Sequence, residues 1–277
     1  MPLKKDPSGR RAVEMELDLP GTPEQVWRAM ATGPGYTAWF VPAQVEERVG
    51  GAIRFDFGPG MTSEGRVTVW EPPFRFGYEE FAWSGEAPPL ATEIIVEARA
   101  GGTCLVRMVH SLFTDRDDWD DEIAGFESGW PGFFAVLRIY MAHFAGQPAV
   151  GIRPTGQFGE GLDGAWAALV DRLGLGEPRL GESCRATAGG APRLAGVVEE
   201  LHRTGHDRAV TLRLSDPAPG VALIGVYPFG DHINVAASLY FYGEQAQAAA
   251  DREGPAWDAW MERHFPAVEA GATEPAA

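Results

Sequence analysis

Residues 12–19 alternate, with Val13, Met15, Leu17 and Leu19 on one face and Glu14, Glu16 and Asp18 on the other, which is the period of a half-buried strand. Pro20-Gly21 ends it. Thr22-Pro23-Glu24-Gln25 then supplies an N-cap, a proline at the first helical position and a Gln at the third. A helix is predicted from here, with Val26, Trp27 and Met30 facing inward, stopping near Gly33-Pro34-Gly35. From Ala43 the period returns to two, predicting strands over 44–49, 52–57, 65–70, 74–81, 92–98 and 103–113. The breaks between them are turn chemistry, Gly50-Gly51, Gly58-Pro59-Gly60, Pro72-Pro73, Pro88-Pro89 and Gly101-Gly102, spaced for an antiparallel meander. An acidic stretch over 115–122 precedes a long helix reaching about Ala145, in which Phe126, Trp130, Phe133, Phe134, Leu137, Tyr140, Met141 and Phe144 recur at helical spacing.

A similar grammar returns after residue 161 in abbreviated form. A helix is predicted over 164–173, strands over 182–188, 193–201, 208–214, 221–227 and 233–242, and a closing helix over 244–265. Trp130 and the Tyr140-Met141-Ala142-His143-Phe144 run of the first closing helix find a loose echo in Trp257 and Trp260-Met261-Glu262-Arg263-His264-Phe265. The expected organisation is a first domain over 1–146, a Gly- and Pro-rich linker over 147–161, a second domain over 162–270 and a frayed tail over 271–277.

Composition narrows the partners. The chain has 277 residues, enough for two cores, and is 45% hydrophobic and 22% charged, which is the balance of a folded protein. A formal net charge of -16 repels phosphate backbones and anionic headgroups, so neither nucleic acid nor a membrane surface is an expected partner. The N-terminal eleven residues lack the apolar stretch of a signal peptide, and no run approaches a membrane span, so a cytoplasmic location is expected. Cys104 and Cys184 lie in strand-like runs, where a small buried thiol is the common case, and imply neither a disulfide framework nor a zinc site.

The first half resembles the START-like superfamily, also called SRPBCC or polyketide-cyclase-like, and within it the branch named after the activator of the heat-shock protein 90 ATPase. The match is carried by the helix start Thr22-Pro23-Glu24-Gln25-Val26-Trp27, the following Tyr36-Thr37-Ala38-Trp39-Phe40, the Gly50-Gly51 turn and the Trp70-Glu71-Pro72-Pro73 strand exit. Val109-His110-Ser111, the acidic run after it and Gly129-Trp130 complete the set. The resemblance implies an α+β helix-grip fold, a curved antiparallel sheet closed by a long C-terminal helix with a cavity between them, and makes the second half a degenerate helix-grip-like copy. Members of the superfamily include carriers, cyclases and proteins without known role, so the fold alone names no activity. Co-chaperone activity in the branch leans on a separate partner-binding domain that has no counterpart in this sequence.

Candidate site residues follow from the alternation. On the strand Val106, Met108, His110, Leu112 the polar member is His110, readable as a core histidine or as a proton carrier and hydrogen-bond donor for a bound polar group. Phe55, Phe57, Phe76, Tyr78, Phe81 and Trp83, with Trp130 and Phe134, exceed what an ordinary sheet of this size needs, whereas Trp27 reads as core. The ligand-lining set is therefore Phe55, Phe57, Phe76, Tyr78, Met108, His110, Trp130 and Phe134. Asp115 to Glu122 does not meet the calcium-loop rule, since Asp120 and Phe126 fall where Gly and a bidentate acid belong, and it reads as a solvated helix start. His202 and His206 flank a turn rather than sharing a helical face, and no third metal ligand is nearby. Gly58-Pro59-Gly60 lacks phosphate-loop spacing, and no nucleophile elbow is present.

Three functions are compatible with these residues: binding, carriage or sensing of a small hydrophobic or aromatic molecule, with no cofactor or metal; a cyclase- or dehydratase-like enzyme in which His110 moves the proton and Tyr78 or Glu80 orients substrate; and a protein-interaction or chaperone-partner role, which requires a contiguous exposed apolar patch.

Overall fold

A computed structural model of the chain describes residues 4–5, 10–58, 60–81, 87–113, 120–159 and 161–268. They form two compact units, Met1–Gly151 with Tyr242–Ala246, and Ile152–Phe241 with Gln247–Ala277.

The first unit is an eight-stranded antiparallel sheet in the order β1-β2-β8-β7-β6-β5-β4-β3. Its strands are β1 (Lys4–Lys5), β2 (Arg10–Pro20), β3 (Ala43–Val45), β4 (Ala52–Gly58), β5 (Met61–Glu71), β6 (Arg75–Phe81), β7 (Leu90–Arg99) and β8 (Thr103–Phe113). Between β2 and β3 run α1 (Pro23–Ala31) and α2 (Gly33–Thr37), and the long α3 (Asp120–His143) follows β8. β2 pairs with β8, Val13 opposite His110 and Leu17 opposite Val106, so the meander returns to the N-terminal strand before it. Val13, Leu17, Leu19, Ile53, Phe55, Phe76, Ile94, Val106 and Met108 are buried on the inward face, which α3 covers with Trp130, Phe134, Leu137 and Met141.

The start of α1 forms as its residues dictate. Gln25 N donates to Thr22 Oγ1 and Thr22 N donates to Gln25 Oε1, a reciprocal capping box with Pro23 in the first turn. The short α2 has no hydrophobic period that would announce it. It exists because Thr32 Oγ1 accepts from Gly35 N at 3.1 Å while donating to Arg28 O at 2.7 Å, and because Gly35 brings its backbone against α1. A Cβ on Gly35 would lie 1.9 Å from Arg28 O. This tight turn drives Tyr36 and Trp39 into the interior, where the Trp39 indole donates to Ala29 O at 2.9 Å.

Simple alternation fails at two places in β3 and β5, and again at the end of β4. The strand expected over 44–49 ends at Val45, and 46–51 turns back on Arg48 and Gly51 instead. In β5 a bulge at Val67/Val69 leaves Thr68 without a cross-strand partner and shifts the parity, so that Trp70 pairs with Phe76 on the inward face. Trp70 then packs edge-on against Trp27, ring centroids 5.0 Å apart, which makes Trp27 the core residue its helical position implied.

The second unit repeats the topology with one meander strand fewer. Its seven-stranded sheet runs β10-β15-β14-β13-β12-β11, with β9 (Ala149–Ile152) also paired to β15. The strands are β10 (Thr155–Phe158), β11 (Ser183–Arg185), β12 (Ala195–Arg203), β13 (Arg208–Asp216), β14 (Gly220–Phe229) and β15 (His232–Tyr242), with α4 (Leu162–Leu173) after β10 and α5 (Ala246–His264) closing. As in the first unit, an N-terminal strand pairs with the last, Gly156 opposite Val235. The stretch 147–161, read from its Gly and Pro content as a linker, thus holds β9 and β10. Gly156 is part of the packing there, since a Cβ would meet Phe265 at 2.5 Å.

Thr22→Ala should lower the stability of the whole chain by about 1 kcal/mol through loss of the cap. Gly35→Ala should cost more, roughly 1–3 kcal/mol, because the added methyl meets backbone. Urea unfolding checks both, and an unchanged midpoint for Gly35→Ala would contradict the tight α1–α2 contact.

Candidate functional site

The inward face of the first sheet carries a polar row inside an aromatic core. Cross-strand register aligns Val67, Tyr78, Thr92, His110 and Val13 on adjacent strands, and all of these side chains face inward. Thr92 Oγ1 and His110 Nδ1 are 2.8 Å apart and both residues are buried. One row further along, Glu80 lies opposite Gly65 and accepts a 2.6 Å hydrogen bond from Ser63 Oγ. Gly65 is required there, because a Cβ would sit 2.0 Å from Glu79 O. Tyr36, delivered by α2, stands edge-on to Phe55 at 5.0 Å, and its hydroxyl is buried with no hydrogen-bond partner. The Tyr78 hydroxyl is its polar neighbour. An unsatisfied buried hydroxyl costs about 1–3 kcal/mol, so Tyr36 is a departure from ordinary core chemistry.

Trp130 is the hub on the helix side. Its ring stacks on His110 at 5.5 Å and on Phe134 at 5.4 Å, and meets Phe40 at 4.8 Å and Trp39 at 6.1 Å. Of the expected lining set, Phe55, Phe76, Tyr78, Met108, His110, Trp130 and Phe134 are all buried on this interior. Phe57 is not. A bulge at Asp56/Gly58 carries it to the β4–β5 hairpin, where it is 41% exposed and touches Phe40 from the rim. Trp83 and residues 115–119 of the acidic run lie outside the described residues. Two depressions occur on the described surface of this unit, one on the outer face around Gly77, Glu93 and Ser111, the other beside Gln44 and Glu64. Neither lies between sheet and α3, where the described rings pack against one another.

Burial sets the protonation of the row. Desolvation pushes the His110 imidazole down from 6.5 to about 3, so it is neutral at physiological pH. Burial strips the imidazole of the hydration its charged form needs, which favours the core reading of His110 over the proton-carrier one. Glu80 is the group that moves into that range. Desolvation raises its carboxyl from 4.5 to about 7, opposed by the Ser63 hydrogen bond. Burial likewise raises the Tyr36 and Tyr78 hydroxyls, which stay protonated.

Residues 20–142 match the model of the family described as Activator of Hsp90 ATPase homolog 1-like protein. The first unit is similar to this family over that span, a little under half of the chain. Among solved structures, the Hsp90-activator-like unit aligns with CalU16 from Micromonospora echinospora at 17% identity over 51% of this chain and 83% of that one, with a TM-score of 0.41. It also aligns with MLL2253 from Mesorhizobium loti at 24% identity over 48% of this chain and 98% of that one, with a TM-score of 0.44. The di-domain ARO/CYC BexL of the BE-7585A biosynthetic pathway is similar over both units, covering 93% of this chain and 99% of that one at 13% identity and a TM-score of 0.44. No curated protein matches the chain in sequence.

Compared with the Hsp90-activator-like unit, the second unit is apolar where the first is polar. Its corresponding rows read Leu201, Val210, Ile224, Ala237 and Val198, Leu212, Ala222, Leu239, with Trp257, Trp260, Met261 and Phe265 of α5 buried. His202 pairs with Asp207 at 3.3 Å, and among the described residues no cluster of three or more His, Cys, Asp or Glu could hold a metal. No helix among them is long and apolar enough to cross a membrane.

Tyr36, Ser63 and Thr92 escaped the sequence reading as site residues. Thr92 had a visible signal, the polar member of Leu90-Thr92-Ile94-Val96, whereas Tyr36 and Ser63 acquire their place through α2 and through cross-strand register.

The two shifted groups give stability a definite pH profile. Glu80 binds its proton more tightly folded than unfolded, so its contribution is full below pH 4.5 and is lost as pH rises through about 7, on the order of 3 kcal/mol. His110 binds its proton less tightly folded, so its contribution is full above pH 6.5 and is lost as pH falls toward about 3, on the order of 5 kcal/mol. Between pH 4.5 and 6.5 the slopes cancel. Thermal melts across pH 4 to 8 should show Glu80→Gln flattening the decline above pH 6.5 and His110→Gln flattening the acid limb, and parallel profiles for all three proteins would refute both assignments.

Proposed function

We propose that the first unit binds a small hydrophobic or aromatic molecule against the inward face of its sheet, with the aromatic body between Trp130 and the Phe55–Phe76 side and its polar end toward the Tyr78–Thr92–His110 row. The observation that carries this reading is the combination of a buried polar row with an unsatisfied tyrosine hydroxyl inside an otherwise aromatic core. Such a core gains nothing in stability from these groups, while a binding site needs a few placed polar groups in an apolar lining. The match of residues 20–142 to the family model agrees with a ligand-binding or cyclase-like role.

Entry requires Trp130 and Phe134 to part from Trp39 and Phe40, whose rings are in contact in this structure. Binding thus costs ring-to-ring contacts and replaces them with ligand contacts of the same kind, which favours flat aromatic ligands over aliphatic chains. The wholly apolar rows of the second unit support a bracing role for it. A docking role for that unit has less support, since its exposed large apolar residues Leu180, Tyr227, Phe229 and Val268 include only one close pair, Tyr227 and Phe229 on β14.

Titration of the whole chain with naphthalene-ring compounds, followed by tryptophan fluorescence, should saturate at one equivalent. Phe134→Ala should weaken the binding about ten-fold or more, whereas Ile224→Val in the second unit should leave it unchanged. Absence of any saturable signal with wild type would refute the reading.

A further inference from the structure

Resting on that binding site, we propose that its ligand presents an aromatic hydroxyl, a phenol or enol, which accepts a hydrogen bond from Tyr36 and donates one to Glu80. The argument is one of complementary deficits. The Tyr36 hydroxyl is a donor held in the interior, 1% exposed, with nothing to donate to. Its own ring is locked by Phe55, Trp39 and Phe40, so it cannot swing out to water. Glu80 is a buried carboxyl on the neighbouring part of the same face, and Ser63 engages one of its oxygens, Oε1. Phe55, against which Tyr36 packs, is the cross-strand partner of Ser63, so Tyr36 and the Ser63–Glu80 pair share one region of the face.

A ligand oxygen placed there meets a donor on one side and an acceptor on the other. A bare hydrocarbon answers neither, an ether or ketone answers only Tyr36, and a hydroxyl answers both. A carboxylate ligand is disfavoured, since its charge would face that of Glu80 in a desolvated site. Because the carboxylate form of Glu80 is the stronger acceptor, the preference for a hydroxyl should grow as Glu80 ionises, that is, on raising the pH through neutrality.

The test compares naphthalene, 2-methoxynaphthalene and 2-naphthol, binding to the whole chain at pH 6 and pH 8 by fluorescence titration. The expected order is 2-naphthol tightest, the methoxy compound intermediate and naphthalene weakest, with at least a ten-fold span that widens at pH 8. Tyr36→Phe should bring the methoxy compound level with naphthalene, and Glu80→Gln should abolish the widening with pH while leaving naphthalene binding intact. Equal affinity of wild type for naphthalene and 2-naphthol overturns this inference and leaves the aromatic site standing. Binding of none of the three overturns the site and the inference together. If either variant fails to fold, judged by its thermal melt, the wild-type ratios at the two pH values decide alone.

Discussion

Cross-strand register is the constraint on which the rest of the first unit depends. Side chains two residues apart share a face, and antiparallel pairing sets which residue of one strand stands beside which of the next. Tyr78, Thr92 and His110 come from three separate strands, yet the pairings of Tyr78 with Thr92 and Thr92 with His110 make them one transverse line under α3. A slip of one residue in β7 would put Thr92 on the outer face and Ala91 or Glu93 beneath the helix. The apolar residues Leu90, Ile94 and Val96 resist that slip, because it would expose them together. The polar row is therefore held in place by the hydrophobic residues around it.

From that line the electrostatics follow. Histidine in an aromatic enclosure loses its hydration, and the Thr92 hydroxyl and the face of Trp130 beside it do not restore that, so its neutral form wins. Glutamate in the neighbouring row loses hydration too, and the single hydroxyl of Ser63 offsets only part of the loss. The same burial thus removes one titrating group from the physiological range and brings another into it.

The second unit shows what the same topology becomes when no such line is present. An N-terminal strand pairs with its last, a helix follows, a meander returns and a closing helix covers the sheet, as in the first unit. Its two central inward rows are aliphatic, and Gly156 lets Phe265, just beyond α5, come close. Two copies of one architecture are thereby differentiated by a handful of side chains on matching faces.

Local chemistry alone was enough for the elements whose causes are local. The Thr22–Gln25 capping box, the alternation of β2 and β8 and the helical spacing of Trp130, Phe134, Leu137 and Met141 each lie within a few residues of chain, and each formed where the residues indicated. Topology also followed, since six strands between two helices with tight turns leave few antiparallel arrangements, and the likeness of the second half to the first was visible in the same terms. Tertiary structure decided whatever depends on contacts distant in sequence. The bulge that turns Trp70 inward, the backbone approach at Gly35 that creates α2, and the pairing that makes β9 and β10 strands out of a Gly- and Pro-rich stretch have no local signature. Protonation belongs to this second class for the same reason: the proton affinity of a side chain depends on how much water its surroundings exclude, and those surroundings are assembled from β2, β6, β7, β8, α2 and α3 only when the chain has folded.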